Sequence, residues 1–132
     1  MRIVLIFFAC TLLVSCRHAN SEMKKNLDLA DSVAINYFKG DGTMDTVVSV
    51  AIIKDKAILI QLSNFITANI INANVSCGYD GSIHYFKDNR VMQDIYFRMM
   101  NDSCSYFTYI FNNKRSSASL PGDAKKLLIQ LK

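Results

Sequence analysis

The sequence predicts an α+β domain in which two helices pack on one mostly antiparallel sheet. Apolar and polar residues alternate along several short segments, two other segments carry apolar residues at helical spacing, and turn-forming pairs separate the strands. The predicted order is β-β-α-β-β-β-β-α, with helices at about 55–66 and 121–131. An antiparallel sheet with its helices on one side is a two-layer arrangement.

The first half of the domain is predicted to form two strands and a helix. Residues 32–38 alternate and indicate a half-buried strand, and residues 46–53 are rich in β-branched side chains and indicate a strand that is apolar on both faces. Asp55 is the expected N-cap of the first helix. The apolar face of this helix consists of Ile58, Leu59, Leu62, Phe65 and Ile66.

The second half is predicted to be an antiparallel meander that ends in a helix. Residues 71–77 alternate, and the pairs Asp80-Gly81 and Asp88-Asn89 are typical of two-residue hairpin turns. Three further strands are expected at 83–87, 90–100 and 104–111. Pro121 then opens a helix whose apolar face consists of Ala124, Leu127, Leu128 and Leu131.

These turns also predict which side chains lie opposite one another. Two-residue turns would place Cys77 opposite His84, and His84 opposite Gln93. A three-residue loop before the last strand would place Phe107 opposite Phe97 in the core, whereas a two-residue loop would expose Phe107. We therefore predict the three-residue loop.

The opposite face of the predicted sheet is rich in residue types that are enriched at protein interfaces. We predict a partner-binding face there, formed by Tyr85, Met92, Tyr96, Arg98 and Tyr106. The alternative is that these tyrosines are ordinary strand residues, half covered by a neighbouring element.

An apolar leader precedes the domain. Arg2 is followed by eleven mostly apolar residues at 3–13, which span about 16 Å as a helix, roughly half the hydrocarbon thickness of a bilayer. This length favours a cleaved signal over a permanent span. The motif Leu13-Val14-Ser15-Cys16 resembles the lipobox of bacterial lipoproteins, which implies cleavage before Cys16 and acylation of that residue. An ordinary secretory signal is the alternative.

The resemblance implies three parts: a signal peptide at 1–15, the lipidated cysteine with a flexible tether at 16–28, and a single α+β domain at 29–132. The tether is expected because this stretch is polar and aperiodic. Arg17, rather than the aspartate that retains enterobacterial lipoproteins in the inner membrane, favours the outer membrane of a bacterial envelope. The net charge of +4 is not concentrated in one block, so we expect membrane contact through the anchor and no nucleic-acid partner.

Cys77 and Cys104 are candidates for a disulfide in the oxidising periplasm. In a plain meander their strands would lie about 14 Å apart, whereas a disulfide needs Cα atoms within about 7 Å. Three explanations are open: a different strand order, a strongly curled sheet, or free thiols.

The chemistry-bearing residues do not indicate an enzyme. Cys77 beside His84 is the one candidate for an activated nucleophile, but a buried cysteine beside a core histidine is the commoner arrangement. We expect no cofactor and no metal. The sequence therefore favours a non-enzymatic lipoprotein that acts by protein contact, as an inhibitor, immunity protein or accessory subunit. The alternative is a small-ligand binder with a pocket between helix 55–66 and the sheet.

Overall fold

The computed structural model describes residues 14–41, 43–71, 77–100 and 103–132. The helices are α1 (Val14–Asp28), α2 (Lys56–Ala68) and α3 (Gly122–Leu131). The strands are β1 (Ser32–Phe38), β2 (Val47–Ile53), β3 (Ile70–Ile71), β4 (Gly81–Lys87), β5 (Arg90–Met99), β6 (Ser105–Phe111) and β7 (Lys114–Ser119). The predicted α+β class is confirmed, and the predicted elements follow in the predicted order.

The described strands form one antiparallel sheet in the order β2-β1-β4-β5-β6-β7-β3. β4 pairs with β1 on one side and with β5 on the other, so the N-terminal hairpin of β1 and β2 extends the later meander. One edge of the sheet is the seven-residue β2, and the other is the two-residue β3.

All three helices pack on the same side of the sheet. Their apolar residues join the inward residues of the strands in one core, which includes Leu27, Leu59, Leu62, Ile66, Leu128, Val33, Ile35, Ile83, Ile95, Phe97 and Phe107. We call this side of the sheet the covered face and the other side the open face. Asp55 caps α2 as predicted, because its carboxylate accepts hydrogen bonds from the backbone N–H groups of Ala57 and Ile58.

The predicted flexible tether at 16–28 is wrong, because α1 occupies this stretch and packs on the domain. Met23 and Leu27, one helical turn apart, are each 1% exposed in the core. Asp28 joins the helix to α2 by accepting a hydrogen bond from Ser63 Oγ at 2.5 Å. Burial raises the pKa of Asp28, but hydrogen bonds from Lys24 and Ser63 outweigh it, so the pKa is lowered overall. The helix is thus fixed by apolar burial and by a charge network.

The predicted hairpin turn at Asp80-Gly81 is also wrong. Gly81 lies inside β4, opposite Tyr37 of β1 and Phe97 of β5. A Cβ atom on Gly81 would lie 2.3 Å from both the Asn36 carbonyl oxygen and the Phe97 ring. The glycine therefore serves close packing rather than a turn.

The strand predicted at 71–77 is observed only where Ile70 and Ile71 pair with β7, and residues 72–76 lie outside the described residues. The sequence did not predict β7. It is reached through a hairpin at Asn112 and Asn113, which both have positive φ, as do Asp88 and Asn89 in the predicted turn between β4 and β5.

The predicted register of the last hairpin is confirmed, with Phe97 opposite Phe107. The register of the preceding hairpin is correct only at its turn. A bulge shifts the pairing between Tyr85 and Phe86, so His84 lies opposite Asp94 and not opposite Gln93. This shift reverses which side chains of β4 enter the core.

A disulfide joins Cys77 to Cys104, with their Cα atoms 6.0 Å apart. The plain meander had predicted a much larger separation. The difference arises because residues 77–80 do not form the strand next to β4. Asp80 continues β4 in the sheet, since its N–H donates to the Phe97 carbonyl and its carbonyl accepts from the Phe38 N–H. Residues 77–79 lie against the open face, where the Gly78 carbonyl accepts a hydrogen bond from Tyr106 Oη at 2.8 Å.

Candidate partner-binding face

The five residues predicted for a partner-binding face have different environments in the structure. Tyr85 lies on the covered face and is 0% exposed, so its assignment to the partner face is wrong. The bulge between Tyr85 and Phe86 is the reason, because it brings Ile83 and Tyr85 into the core in place of Phe86. Burial raises the pKa of Tyr85 far above its ordinary value.

Arg98 and Tyr106 lie on the open face but are buried there beneath residues 77–80. Arg98 Nη1 donates to Asp80 Oδ1 at 2.9 Å, and Asp80 Oδ2 accepts from the Met99 backbone N–H at 2.6 Å. Burial raises the pKa of Tyr106 as well. Both side chains hold segment 77–80 in place and are covered by it, so neither offers an accessible contact.

Tyr96 and Met92 remain partly accessible on the walls of an open groove of about 740 Å³. Tyr79 joins them, with its ring centroid 5.1 Å from that of Tyr96, and Arg115 Nη2 donates to Tyr79 Oη at 2.9 Å. Residues of β5 and β6, together with Met44, complete the groove: Val91, Gln93, Asp94, Thr108, Tyr109 and Ile110.

Sequence reasoning missed Tyr79, Arg115 and Met44. Tyr79 was predicted only to pair with Ser82 beside the Asp80-Gly81 turn, Arg115 was assigned to no element, and Met44 lies in the loop between β1 and β2. No local pattern marks these three residues. The segment tethered by the disulfide brings Tyr79 to β5, the unpredicted β7 brings Arg115, and the loop between β1 and β2 brings Met44.

A hydrogen-bonded chain of polar side chains crosses the open face beside the groove. Ser82 Oγ lies 2.9 Å from His84 Nε2, and His84 Nδ1 lies 2.5 Å from Asp94 Oδ1. Asn36 Nδ2 lies 3.2 Å from the same Nε2 atom. Because an amide nitrogen can only donate, Nε2 accepts and Nδ1 carries the proton that is donated to Asp94.

This order of atoms is that of a serine hydrolase triad. The surroundings do not complete such a site. Ser82 is 2% exposed, and β4 is paired on both sides, with β1 and with β5. Around Ser82 the described strands thus engage their backbone N–H groups in the sheet and leave none to stabilise an oxyanion. We interpret the chain as a structural network that orients Asp94 at the groove.

The proposed thiol site at Cys77 and His84 is not formed. Cys77 is bonded to Cys104, and the near neighbours of the His84 ring are Ser82, Asn36 and Asp94. The ligand pocket that was considered as an alternative, between helix 55–66 (α2 in the structure) and the sheet, is not formed by the described residues either. Core side chains fill that space, since Leu59, Leu62, Ile66, Phe97 and Phe107 are each at most 1% exposed.

Within the described residues, no group of three or more histidine, cysteine or carboxylate residues is arranged to hold a metal ion. Among the described helices, none combines the length and the hydropathy needed to cross a bilayer. The leader at 1–13 lies outside the described residues, and Cys16 falls in α1. Comparisons with protein-family models, with curated proteins and with solved structures find no match to this chain.

Proposed function

We propose that this chain is a lipid-anchored envelope lipoprotein that binds a protein partner in the groove on the open face and catalyses no reaction. The groove with its paired tyrosines, Tyr79 and Tyr96, is the observation that carries the proposal. Aromatic, methionine and arginine side chains are enriched at the centres of protein interfaces, and the walls of this groove consist largely of them.

The Tyr79 wall of the groove is held by several contacts, which favours binding. Tyr79 is fixed by Arg115, by the Tyr96 ring and by the Tyr106 ring at 6.3 Å. The disulfide at Cys77 tethers the same segment. Side chains that are ordered before binding lose little conformational entropy when a partner docks, so more of the contact energy appears as affinity.

The anchor of the proposed lipoprotein is the acylated Cys16. Because α1 runs from Val14 to Asp28, the domain would follow its anchor through a helix rather than a flexible tether. The thirteen residues from Cys16 to Asp28 are separated by twelve helical steps, which correspond to about 18 Å of helix. This spacing would hold the sheet close to the membrane at a restricted distance.

Site-specific photocrosslinking in native envelopes tests the partner contact. A photoreactive phenylalanine at Tyr96 should crosslink to a protein, whereas the same group at Ile129, an exposed residue of α3, should not. Tyr96→Ala should lower recovery of that protein from solubilised envelopes at least tenfold, as expected for an aromatic anchor residue, and Ile129→Ala should leave recovery unchanged. Equal recovery with both variants contradicts the proposal.

The anchor needs a separate test. Growth with labelled palmitate should label the wild-type chain, and Cys16→Ser should abolish the label and retain residues 1–15 in the product. An unlabelled wild-type chain contradicts the lipid anchor. Partner binding in the groove is then tested by the crosslinking experiment alone.

The groove also supports a second candidate, a small ligand, since its volume of about 740 Å³ lies in the range of ligand sites. Its tyrosine rings and the charged Arg115 and Asp94 suit an aromatic or sugar-like molecule with polar groups. Native mass spectrometry of the chain purified from envelopes distinguishes the two candidates. A bound small molecule that Tyr96→Ala releases favours the ligand, and a copurifying protein favours the partner.

A further inference from the structure

The edge strand β2 is an uncovered apolar feature of the described sheet. It consists of Val-Val-Ser-Val-Ala-Ile-Ile and contains no charge and no proline. Val48, Val50 and Ile52 are 54%, 57% and 61% exposed. Within the described residues no strand pairs with the outer side of β2.

Soluble proteins protect such edges by means that β2 lacks. A charged side chain, a proline or a very short strand prevents another chain from adding to the sheet. Along seven residues β2 instead offers unpaired backbone donors and acceptors between β-branched side chains, the arrangement that accepts an added strand.

The sequence of β2 is suited to pair with itself. A two-fold axis through Val50, perpendicular to the sheet, pairs all seven residues antiparallel with those of a second copy. On the open face Val48 then lies opposite Ile52, and Val50 lies opposite its own counterpart. On the covered face the small Ser49 lies opposite Ala51, which leaves space for the helices of both copies. Pairs of β-branched side chains stabilise neighbouring antiparallel strands.

The charges that flank β2 favour the same arrangement. Asp45 precedes the strand, and Lys54, Asp55 and Lys56 follow it, so the exposed segment after the strand is basic in its net charge. An antiparallel pair places the acidic end of one strand beside the basic end of the other, whereas a parallel pair would place like charges together. This complementarity between the two ends of one strand indicates a second copy of the chain as the occupant.

We propose that two copies of this chain associate through β2, in antiparallel register about Val50, and form one continuous sheet across the dimer. The axis keeps both open faces on one side and the helices of both copies on the other. The two grooves would then face the same way, and both α1 helices would lie on the opposite side. The pairing itself does not depend on the groove or on the lipid anchor.

Cysteine crosslinking of the full chain in envelopes and in detergent tests the register. Residues opposite each other on a two-fold axis are close enough for a disulfide. Val50→Cys should therefore give a crosslinked dimer under mild oxidation, well above the background of the wild-type chain. Lys114→Cys is the control, because Lys114 is exposed on β7, outside the groove and with four strands between it and β2, and it should stay at background.

Ser49→Cys and Ala51→Cys test the neighbouring registers, whose axes pass through those residues. Crosslinking from either variant that equals or exceeds that of Val50→Cys overturns the register. In sedimentation of the detergent-solubilised chain, Val50→Lys should weaken dimerisation at least about tenfold, because it places two like charges opposite each other. Met100→Lys, at a residue that is 53% exposed and outside the groove, should not. A monomeric wild-type chain at all concentrations, with every variant at background, overturns the dimer. A different protein crosslinked to residue 50 overturns it equally.

Discussion

The two faces of the sheet use the same strands for different purposes, and β5 shows the contrast residue by residue. Its covered side carries Ile95 and Phe97, both fully buried, whereas its open side carries Asp94, Tyr96 and Arg98. The covered face is held by continuous apolar burial under three helices. The open face is held by a disulfide, an ion pair and hydrogen bonds, so stability should depend on the first face and recognition on the second.

Adjacent substitutions on β5 should give the largest contrast. Phe97→Ala removes a buried ring at the centre of the core and should lower the free energy of unfolding by about 3–5 kcal/mol. Tyr96→Ala, one residue earlier on the open face, should lower it by less than about 1 kcal/mol. Urea unfolding followed by circular dichroism measures both. Similar losses for the two variants would show that packing on the open face contributes as much to the free energy of unfolding as packing on the covered face.

Loss of the disulfide should be the largest perturbation that is confined to the open face. Cys77 and Cys104 close a loop with a sequence separation of 27, so replacing both by Ser should cost about 3 kcal/mol. Segment 77–80 should also loosen, which would raise hydrogen exchange at Asp80 while residues of α2 stay protected. Unchanged exchange at Asp80 would show that its backbone hydrogen bonds to Phe97 and Phe38 and its ion pair with Arg98 hold this segment without the disulfide.

The parts of this arrangement that sequence patterns predicted are those set by local chemistry. Asp55 starts α2 because a side-chain cap acts within three residues, and the Phe97–Phe107 register follows from burying the aromatics of one hairpin. In contrast, Gly81 follows an aspartate in a pair typical of turns, but the chain continues as a strand because tertiary packing between Asn36 and Phe97 outweighs the local preference. The Asp80-Gly81 pair alone therefore does not distinguish a turn from a continuing strand.

The open face could not be predicted because it is assembled by long-range events. No residue type marks the bulge in the β4–β5 pair, yet this one shift reverses β4 and moves Tyr85 into the core. Likewise, among residues 20–28 of α1, whose burial the structure describes, Met23 and Leu27 are the only buried side chains, so the apolar periodicity was too sparse to indicate a helix. The groove depends on both the disulfide and β7. The sequence patterns left the disulfide open and did not predict β7.

A buried tyrosine of the covered face, Tyr37, should also make the stability of the domain depend on pH in the alkaline range. Burial raises the pKa of Tyr37 from 10.0 to about 12. The unfolded chain ionises this phenol near its ordinary pKa and the folded chain does not, so the stability it contributes is complete below pH 10 and is lost as the pH rises through about 12. The loss should be on the order of 2–3 kcal/mol. Tyr37→Phe should flatten the profile in this window, measured as midpoints of urea unfolding, and an unchanged slope contradicts the assignment.

The smallest expected effect is a gain in stability. It comes from Tyr85, which was predicted on the open face and lies buried on the covered face. Tyr85 Oη is buried and has no hydrogen-bond partner among the described residues, whereas Tyr37 Oη donates to the Leu128 carbonyl at 2.5 Å. A buried hydroxyl without a partner keeps its desolvation cost, so Tyr85→Phe should raise the free energy of unfolding by about 1 kcal/mol. Tyr37→Phe at neutral pH is the matched control and should lower it by a similar amount, because it removes a satisfied hydrogen bond. Equal destabilisation by both variants would place a hydrogen-bond partner beside Tyr85.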